Sequence, residues 1–349
     1  MNCHRLLCFL PLIITCVSAE FVCSELTFKD NVVAIHELDR THRKTVTGCI
    51  SGQSLLLKNL KRIVVKDQQI HALYRGAVSN IPHPFELTLV NNRITTIRKE
   101  AFLNIGAHSI NLNCNNLKWV ERYSFNNLTS LEVIDLDYNK IQTMPKCVFH
   151  NLENLTIVSI AHNALNDFDQ DWFSGTPKLE MLFLNNNRLR NIPRAGFSKF
   201  ENLRGITLEE NWIDYIDPQA FKGTSQLNEL YLSNNRIQYL DLDFSHIPSI
   251  KVFNIDGNQL THLPLDNLKA IESSLRQLNI HANPWQCPCF DEMAHWADTH
   301  NIKMPWRCKG IDLFCYVPQQ QSAQCLNRTD TDLDSNFRQF SIQNCHKIL

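Results

Sequence analysis

Four side chains near the C-terminal end have the types and spacing of a zinc site. Cys287 and Cys289 are followed by His295 and His300, and thiolates and imidazoles are the ligands that zinc prefers. The same cysteines lie beside Trp285 in a chain whose N-terminus reads as a secretion signal, and disulfides persist in the oxidising compartments to which such signals lead. We therefore expect these cysteines to form disulfides, and we expect no metal and no cofactor.

Two pairs of alternating carboxylates are the other candidates for chemistry. Asp135 with Asp137, and Asp241 with Asp243, resemble the acidic pairs that general acid–base catalysis uses. Each pair alternates along a predicted strand or turn at the surface, without a nearby nucleophile or a sheltered pocket. Ten glycines in 349 residues also leave little material for a phosphate-binding loop. The sequence therefore predicts a binding protein and not an enzyme.

The elements that position these side chains repeat along the chain. Nine segments, spaced by 23 to 25 residues, share a skeleton of leucine, two free positions, leucine, one free, leucine, two free, asparagine, one free and leucine. This skeleton is typical of the leucine-rich repeat, and it predicts an α/β solenoid: a horseshoe with a parallel concave β-sheet and disulfide-bonded caps. The repeats begin at Leu60, Pro84, Ala107, Leu131, Leu155, Leu179, Leu203, Leu227 and Ile250, and a partial tenth begins at Leu275.

Two columns of like residues are predicted to align when the repeats stack. A phenylalanine at the nineteenth position of a repeat predicts a stacked aromatic column. An asparagine after each strand has the donor and the acceptor that neighbouring turns need. The phenylalanines are Phe102, Phe125, Phe149, Phe173, Phe197 and Phe221. The asparagines are Asn92, Asn115, Asn139, Asn163, Asn187, Asn211, Asn235 and Asn258, and Gln68 takes this place in the first repeat.

The N-terminus has the three parts of a secretory signal: the charged Arg5, an apolar run over residues 6–17, and the small residues Val17-Ser18-Ala19. We divide the chain into a signal peptide (1–19), an N-terminal cap (20–59), the repeats (60–282), and a cysteine-rich C-terminal cap and tail (283–349). No later stretch approaches the roughly 20 apolar residues of a membrane span. The tail from residue 329 is polar, and its apolar end is too short for a lipid-anchor signal. We therefore expect a secreted, extracellular protein.

Ten cysteines follow the predicted signal, and eight of them flank the repeats. Because the ends of a solenoid expose core, these eight are predicted to form disulfides in the caps. They are Cys23, Cys49, Cys287, Cys289, Cys308, Cys315, Cys325 and Cys345. Cys114 on the concave rim and Cys147 on the convex return are too far apart to pair with each other. Both are isolated thiols, or one of them, with Cys147 favoured, bridges to another chain.

The predicted concave face differs in charge between its two ends. Positions 2, 3, 5, 7 and 8 of each repeat project from it, and in the fourth to ninth repeats they carry eight acids against Arg204 and Lys251. The first repeat instead carries Lys61, Arg62 and Lys66. Aromatic residues interleave with the acids, and Phe85 is predicted to lie on the same surface. The predicted partner-binding residues are Glu132, Asp135, Asp137, Tyr138, Glu180, Phe183, Glu209, Glu210, Glu229, Tyr231 and Asp256.

Such a surface predicts a protein partner, because acidic groups steer basic partners and exposed aromatics anchor interfaces. The alternative is a solvated polar face. The formal net charge of −1 gives no basic excess for nucleic acid or for a membrane surface. Three sequons predict glycosylation at Asn127, Asn154 and Asn327, and the first two leave most of the concave face free.

The run Asn283-Pro284-Trp285-x-Cys287-x-Cys289, followed by Trp296, resembles the opening of the cysteine-rich C-terminal cap of extracellular leucine-rich repeat proteins. In that cap the first cysteine pairs with the third and the second with the fourth, which implies a bond from Cys287 to Cys308. Six cysteines replace the usual four here, so the partner of Cys289 is Cys315, Cys325 or Cys345.

The repeats as a whole resemble Toll-type receptor ectodomains, small matrix proteoglycans and neuronal guidance proteins. A narrower likeness precedes them: Cys23, the hairpin-like run Val32-Val33-Ala34-Ile35, and Gly48-Cys49-Ile50 leading into Leu60 resemble secreted leucine-rich repeat immune proteins of mosquitoes and other insects. That likeness implies action in haemolymph. Some members form disulfide-linked heterodimers that hold a complement-like thioester protein in solution and deliver it to pathogens.

The dimer-forming members carry a long C-terminal coiled coil, whereas residues 329–349 show no sustained heptads, so the chain matches the coil-less branch. Cys345 and Cys147 are the candidates for a disulfide-linked partner. The resemblance implies a secreted protein-binding module of innate immunity whose partner is a complement-like thioester protein or a microbial surface. The alternative is an extracellular matrix or receptor-modulating protein, such as a soluble decoy for a Toll-like or growth-factor pathway.

Overall fold

Short strands recur along the chain at the repeat spacing. The computed structural model describes residues 25–55, 59–305, 315 and 325. The strands are β1 (Phe28–Glu37), β2 (Thr41–Gly48), β3 (Ile50–Ser51), β4 (Leu60–Lys66), β5 (Ala72–Leu73), β6 (Val78–Val90), β7 (Thr96–Ile97), β8 (Phe102–Asn111), β9 (Trp119–Val120), β10 (Val133–Asp135), β11 (Phe149–His150), β12 (Ile157–Ser159), β13 (Phe173–Ser174), β14 (Met181–Phe183), β15 (Asn191–Ile192), β16 (Gly205–Thr207), β17 (Tyr215–Ile216), β18 (Glu229–Tyr231), β19 (Val252–Asn254) and β20 (Gln277–Asn279). The helices are α1 (Gly52–Leu55), α2 (Leu265–Leu268) and α3 (Cys287–Thr299), with 3₁₀ turns at Gln170–Trp172 and Phe244–His246.

One sheet runs through the described chain in the order β2, β1, β4, β6, β8, β10, β12, β14, β16, β18, β19, β20, with β3 beside β6. From β4 onward neighbouring strands are parallel and one repeat apart, so that Ile134 lies beside Val158, and Val158 beside Leu182. Residues at the same repeat position therefore stack side by side. The predicted leucine-rich repeat solenoid with a parallel sheet is confirmed.

The returning halves of the repeats contain few helices. They form three small parallel sheets, β5-β7-β9, β11-β13 and β15-β17, joined by turns. The convex side of the predicted α/β solenoid therefore contains little helix. Among the described residues, one helix has more than three turns, and it is α3 at the C-terminal end.

The asparagine column bonds each turn to the preceding repeat. In Asn187, for example, Nδ2 donates to Ile160 O at 2.9 Å, and Oδ1 accepts from Leu165 N at 3.0 Å. The first repeat replaces this bond with one to the N-terminal hairpin, since Gln68 Oε1 accepts from Val32 N at 2.8 Å. Buried backbone groups at the turns thus find partners all along the sheet.

The phenylalanine column is present, with one deviation. Phe102, Phe125, Phe149 and Phe173 stack in sequence with ring centroids 5.0 to 5.7 Å apart. Phe197 and Phe221 stack at 5.4 Å. Between the two groups the ring of Phe168 stacks on Phe197 at 4.9 Å, and Phe173 meets Phe200 edge-on. Phe168 lies just before the 3₁₀ turn at Gln170–Trp172 in the return of its repeat, and Phe200 lies in the next repeat.

The N-terminal strands form the predicted hairpin: β1 pairs antiparallel with β2 on one side and with β4, the first repeat strand, on the other. Cys49 is disulfide-bonded. At the other end, α3 adds Phe290, Met293 and Ala297 to the continuous core. The indole of Trp285 is buried, and its Nε1 donates to Ile280 O at 2.7 Å.

The cap disulfides correct one expectation. Cys287 is bonded to Cys315, and Cys289 to Cys325, with Cα–Cα distances of 4.7 and 4.6 Å. The implied bond from Cys287 to Cys308 is therefore wrong, because Cys315 occupies the bonding position beside the start of α3. The pairing of Cys289 with Cys325 selects one of the three alternatives. Since both thiols are consumed, neither of them is available as a zinc ligand.

A second correction concerns Phe85, which was expected on the concave surface. Its side chain is buried. The register of β6 against β8 shifts between Phe85 and Glu86, so that Phe85 lies beside Ala107 in the first apolar column of the repeats. The bulge turns the ring into the core.

Several expectations lie outside the described residues. They are the signal peptide over residues 1–19, Cys23, Cys308 and Cys345, and the sequon at Asn327.

Candidate functional site

The centre of the concave sheet is made of the third and fifth positions of the repeats on β10 to β18. Leu182 and Ile206 alternate with these positions and are fully buried, so their neighbours face the concave side. Half-exposed side chains at these positions include Ile157, Met181 and Phe183. The surface thus has an apolar middle. We define the central face as positions three, five and seven from Val133 to Ser233, which include this apolar middle and the carboxylates beside it.

Carboxylates beside the apolar middle are held by bonds to neighbouring strands. Asp135 Oδ1 accepts from Asp137 N at 2.9 Å, and its Oδ2 accepts from Asn113 Nδ2 at 3.0 Å. Asp137 Oδ1 accepts from Ser159 Oγ at 2.6 Å and from Ala161 N at 2.7 Å. Burial, followed by the charge of Asp135, raises the pKa of Asp137 above its usual value. These contacts orient the pair as fixed acceptors on the surface.

A second acidic group lies three to four repeats further on. Glu209 Oε1 accepts from Ser233 Oγ at 2.7 Å, and Glu229 Oε2 accepts from Tyr231 OH at 3.1 Å. Burial and the charge of Glu229 raise the pKa of Tyr231 to about 12, so its hydroxyl stays a donor at neutral pH. The acids and the tyrosine are held in place before any partner arrives, which reduces the ordering cost of binding.

Gly205, in the same repeat as Glu209, leaves room for the side chain of Met181 on the neighbouring strand. A Cβ at this position would lie 2.6 Å from Met181 Cε, so the methionine side chain lies over the glycine backbone. Methionine adapts its shape to a contacting surface more readily than branched residues do. Met181 and Phe183 therefore give the central face an adaptable apolar floor.

The eighth position of each repeat lies at the rim of the sheet, and at several repeats its backbone has a positive, left-handed φ. Tyr138 and His162 both have φ of 52°, and their rings stack with centroids 4.1 Å apart. Glu210 adopts the same conformation, and its carboxylate accepts from Asn186 Nδ2. Below the rim, at the second position, Glu180 pairs with Arg204 at 3.3 Å.

Of the predicted partner-binding residues, Glu132, Tyr138 and Glu210 are exposed, and most of the others are half-exposed. Asp256 differs, because it is only 4% exposed and its Oδ1 accepts from His281 N in the next repeat at 2.7 Å. Its carboxylate accepts a hydrogen bond from a backbone N–H of this chain and does not face a partner. We therefore leave Asp256 out of the candidate surface.

The basic end of the sheet is partly neutralised. Arg62 is paired with Glu86, and His108 Nε2 lies 3.8 Å from Glu86 Oε1. These residues, with His36 and Lys61, line an open cavity of about 370 Å³.

The two central cysteines do not pair with each other, as expected, and both are free within this chain. Cys114 is exposed, whereas Cys147 is 1% exposed and receives a contact from Arg122 Nη2 at 3.7 Å. Burial removes the advantage that Cys147 was expected to have over Cys114 as a link to another chain. Asn127 is exposed, while Asn154 Nδ2 donates to Thr129 O at 2.7 Å.

Within the described ranges, no cluster of three or more metal-ligating side chains is present. In the same part of the chain, no helix has both the length and the apolar character that crossing a bilayer requires.

Comparison with known proteins agrees with this architecture. The model of the leucine rich repeat family matches residues 105–163, 153–213 and 201–260. The chain is a leucine-rich repeat protein with C-terminal disulfide bonds. No curated protein gives a significant match by sequence.

Its structural neighbours include Toll-type receptors. The chain is similar to TLR13 in a complex with ssRNA13, with 23% identity, 61% of this chain and 31% of that chain covered, and a TM-score of 0.55. It is also similar to Toll in the glycosylated Toll–Spatzle complex of Drosophila, with 19% identity, 75% and 41% coverage, and a TM-score of 0.59. The chain thus spans less than half of either neighbour, and at these identities the likeness establishes the fold alone.

Sequence reasoning missed one group of side chains. Trp212 lies outside the concave positions, yet three arginine side chains surround its ring. The repeat spacing could have revealed this group. Arg188, Trp212 and Arg236 take the tenth position of three successive repeats, and Arg190 takes the twelfth position of the first of them.

Proposed function

We propose that this chain is a secreted protein-binding module of innate immunity that binds a basic protein partner through the central face. The observation that carries the proposal is the placement of preoriented acids, Asp135, Asp137, Glu209 and Glu229, around the apolar floor of Met181 and Phe183. Partners with basic groups around an apolar centre fit this surface, because charge steers the encounter and the apolar centre supplies affinity.

The immune part of the proposal draws on the structural neighbours. The Toll–Spatzle complex is described as a molecular hub in Drosophila development and innate immunity, and its fold covers 75% of this chain. The finer candidates are a complement-like thioester protein and a microbial surface. A receptor-modulating role, as a soluble decoy in a Toll-like pathway, is the second candidate, and the same neighbour favours it.

The test is a comparative capture from the body fluid of the source organism. The tagged protein is compared with a variant carrying Glu209→Lys and Glu210→Lys, and with a control variant carrying Glu153→Lys and Glu201→Lys. Glu153 and Glu201 are exposed residues outside the sheet, so the control has the same change in charge. Captured proteins are identified by mass spectrometry after elution in rising salt.

We expect the wild type and the control to retain a common basic protein that the first variant loses. A thioester protein or a microbial-surface protein would support the immune role, and a Toll-type ectodomain or its ligand would support the decoy role. Equal capture by all three proteins would refute binding at the central face.

A further inference from the structure

A second recognition surface lies at the edge of the solenoid that follows the carboxyl ends of the sheet strands. Three successive repeats place a large side chain at the tenth position, directly after the asparagine. The backbones there form a ladder: Arg188 N donates to Leu165 O at 2.9 Å, Trp212 N to Leu189 O at 3.0 Å, and Arg236 N to Ile213 O at 2.8 Å. Stacking of the repeats thus fixes the tryptophan between two arginines.

Three guanidinium groups surround the tryptophan ring. The Cζ atoms of Arg236, Arg188 and Arg190 lie 5.1, 5.8 and 6.0 Å from its centroid. These distances are within the range of cation–π attraction, which is stronger with tryptophan than with other rings. The ring thus attracts guanidinium groups from the repeats on either side of it.

The guanidiniums remain available for a ligand. In the described part of the chain, no carboxylate oxygen forms an ion pair with Arg188, Arg190 or Arg236, and all three side chains are exposed. By contrast, Arg62, Arg75 and Arg98 each pair with a glutamate of the neighbouring repeat. A guanidinium without a carboxylate partner keeps its N–H edges free for two-point bonds to the carboxylates of a ligand.

Exposed aromatic residues extend this surface. Tyr215 is 54% exposed and Tyr239 is 44% exposed, at the same position of adjacent repeats. Tryptophan, tyrosine and arginine are the residue types that dominate binding energy at protein interfaces. We define the flank patch as Arg188, Arg190, Trp212, Tyr215, Arg236 and Tyr239.

We propose that the flank patch is a docking surface for an acidic, aromatic-containing segment of a protein partner. The flank patch occupies positions ten to thirteen of its repeats, outside the positions of the central face, and its charge is opposite. It is therefore a separate site and does not depend on the proposed function. A compact protein segment fits better than an extended polyanion, because the basic positions are confined to three repeats. The repeats on either side carry Ala164 and Gln259 at the tenth position, so the basic residues do not continue there. The exposed Asp214 occupies the twelfth position of the middle repeat, between the arginines.

The test uses a random copolymer of glutamate and tyrosine as the probe, with its lysine–tyrosine counterpart, heparin and an oligothymidylate for comparison. Binding of each fluorescent probe to the full chain is measured by anisotropy. The test variant carries Arg188→Gln and Arg236→Gln. The control variant carries Lys118→Gln and Lys140→Gln, which are exposed residues at the twelfth and tenth positions of earlier repeats and remove the same charge.

We expect the wild type and the control to bind the glutamate–tyrosine copolymer at least tenfold more tightly than the test variant, with all melting temperatures equal. The variant Glu209→Lys with Glu210→Lys should retain this binding, which separates the flank patch from the central face. Absence of copolymer binding, an equal loss in the test and control variants, or tighter binding of heparin or oligothymidylate at equal charge would each overturn the proposal.

Discussion

Asp137 Oδ1 accepts a hydrogen bond from Ser159 Oγ at 2.6 Å. This bond joins the turn after β10 to β12, the neighbouring strand of the concave sheet. The same bond recurs two repeats later in a neutral form, where Asn185 Oδ1 accepts from Thr207 Oγ1 at 3.0 Å. The seventh and fifth positions of adjacent repeats therefore form a side-chain link that tolerates either an acid or an amide. At Asp137 the link carries a charge that folding partly desolvates.

This relationship predicts the pH dependence of Asp137→Asn. Because the pKa of Asp137 is raised in the folded state, its ionised form costs stability above the folded pKa, and this cost vanishes as pH falls below the unfolded value. The variant should be more stable than the wild type at pH 7, by less than about 1 kcal/mol because the half-exposed carboxylate is screened by water. The advantage should shrink as the pH approaches 4.

Thermal melting of both proteins between pH 4 and pH 8 checks this prediction. The difference between their melting temperatures is the relevant quantity, since other carboxylates titrate in both. A difference that does not change with pH, or a variant that is less stable at pH 7, would contradict the assigned shift.

Removing a ring from the aromatic column should be costly. Phe173 is buried between Phe149 at 5.0 Å and the edge of Phe200 at 5.2 Å. We expect Phe173→Ala to lower the free energy of unfolding by roughly 3–5 kcal/mol, and Phe173→Leu to lower it by less. Urea denaturation measures both. An alanine variant that unfolds at the wild-type midpoint would show that the ring does not pack as described.

The asparagine column should be equally sensitive. The Asn187 amide donates to three backbone carbonyls, Ile160 O, Leu184 O and Asn185 O. We expect Asn187→Ala to destabilise the chain by at least about 2 kcal/mol, because buried carbonyls and one N–H lose their partner. The exposed Gln226→Ala serves as the control and should change stability little. Equal midpoints for the two variants in urea would argue against the ladder.

The two free cysteines should differ in reactivity. Cys114 is exposed and Cys147 is buried. Iodoacetamide should label Cys114 in the native protein within minutes and Cys147 only after denaturation, as read by mass spectrometry of the peptides. Among the described residues, Cys114→Ser should leave no thiol that labels in the native protein. Rapid native labelling of Cys147 would restore it as a candidate for a bond to another chain.

The repeat skeleton was sufficient to predict the solenoid, since stacking the repeats buries the column to which Leu182 and Ile206 belong. It did not reveal the bulge that turns Phe85 inward, because a register shift depends on the neighbouring strand. The family likeness implied the wrong partner for Cys287, since six cysteines allow more pairings than four. Asp256 was expected on the surface because its repeat position faces outward elsewhere, but here its carboxylate bonds to His281.

The dissociation constant of the captured partner, measured against salt concentration, tests the central claim most directly. The wild type, the Glu209→Lys and Glu210→Lys variant, and the Glu153→Lys and Glu201→Lys control are compared. Binding through the central face predicts at least tenfold weaker affinity and a flatter salt dependence for the first variant, with the control unchanged. Identical salt dependence and affinity for all three proteins would contradict it and would leave the acidic face as a solvated surface.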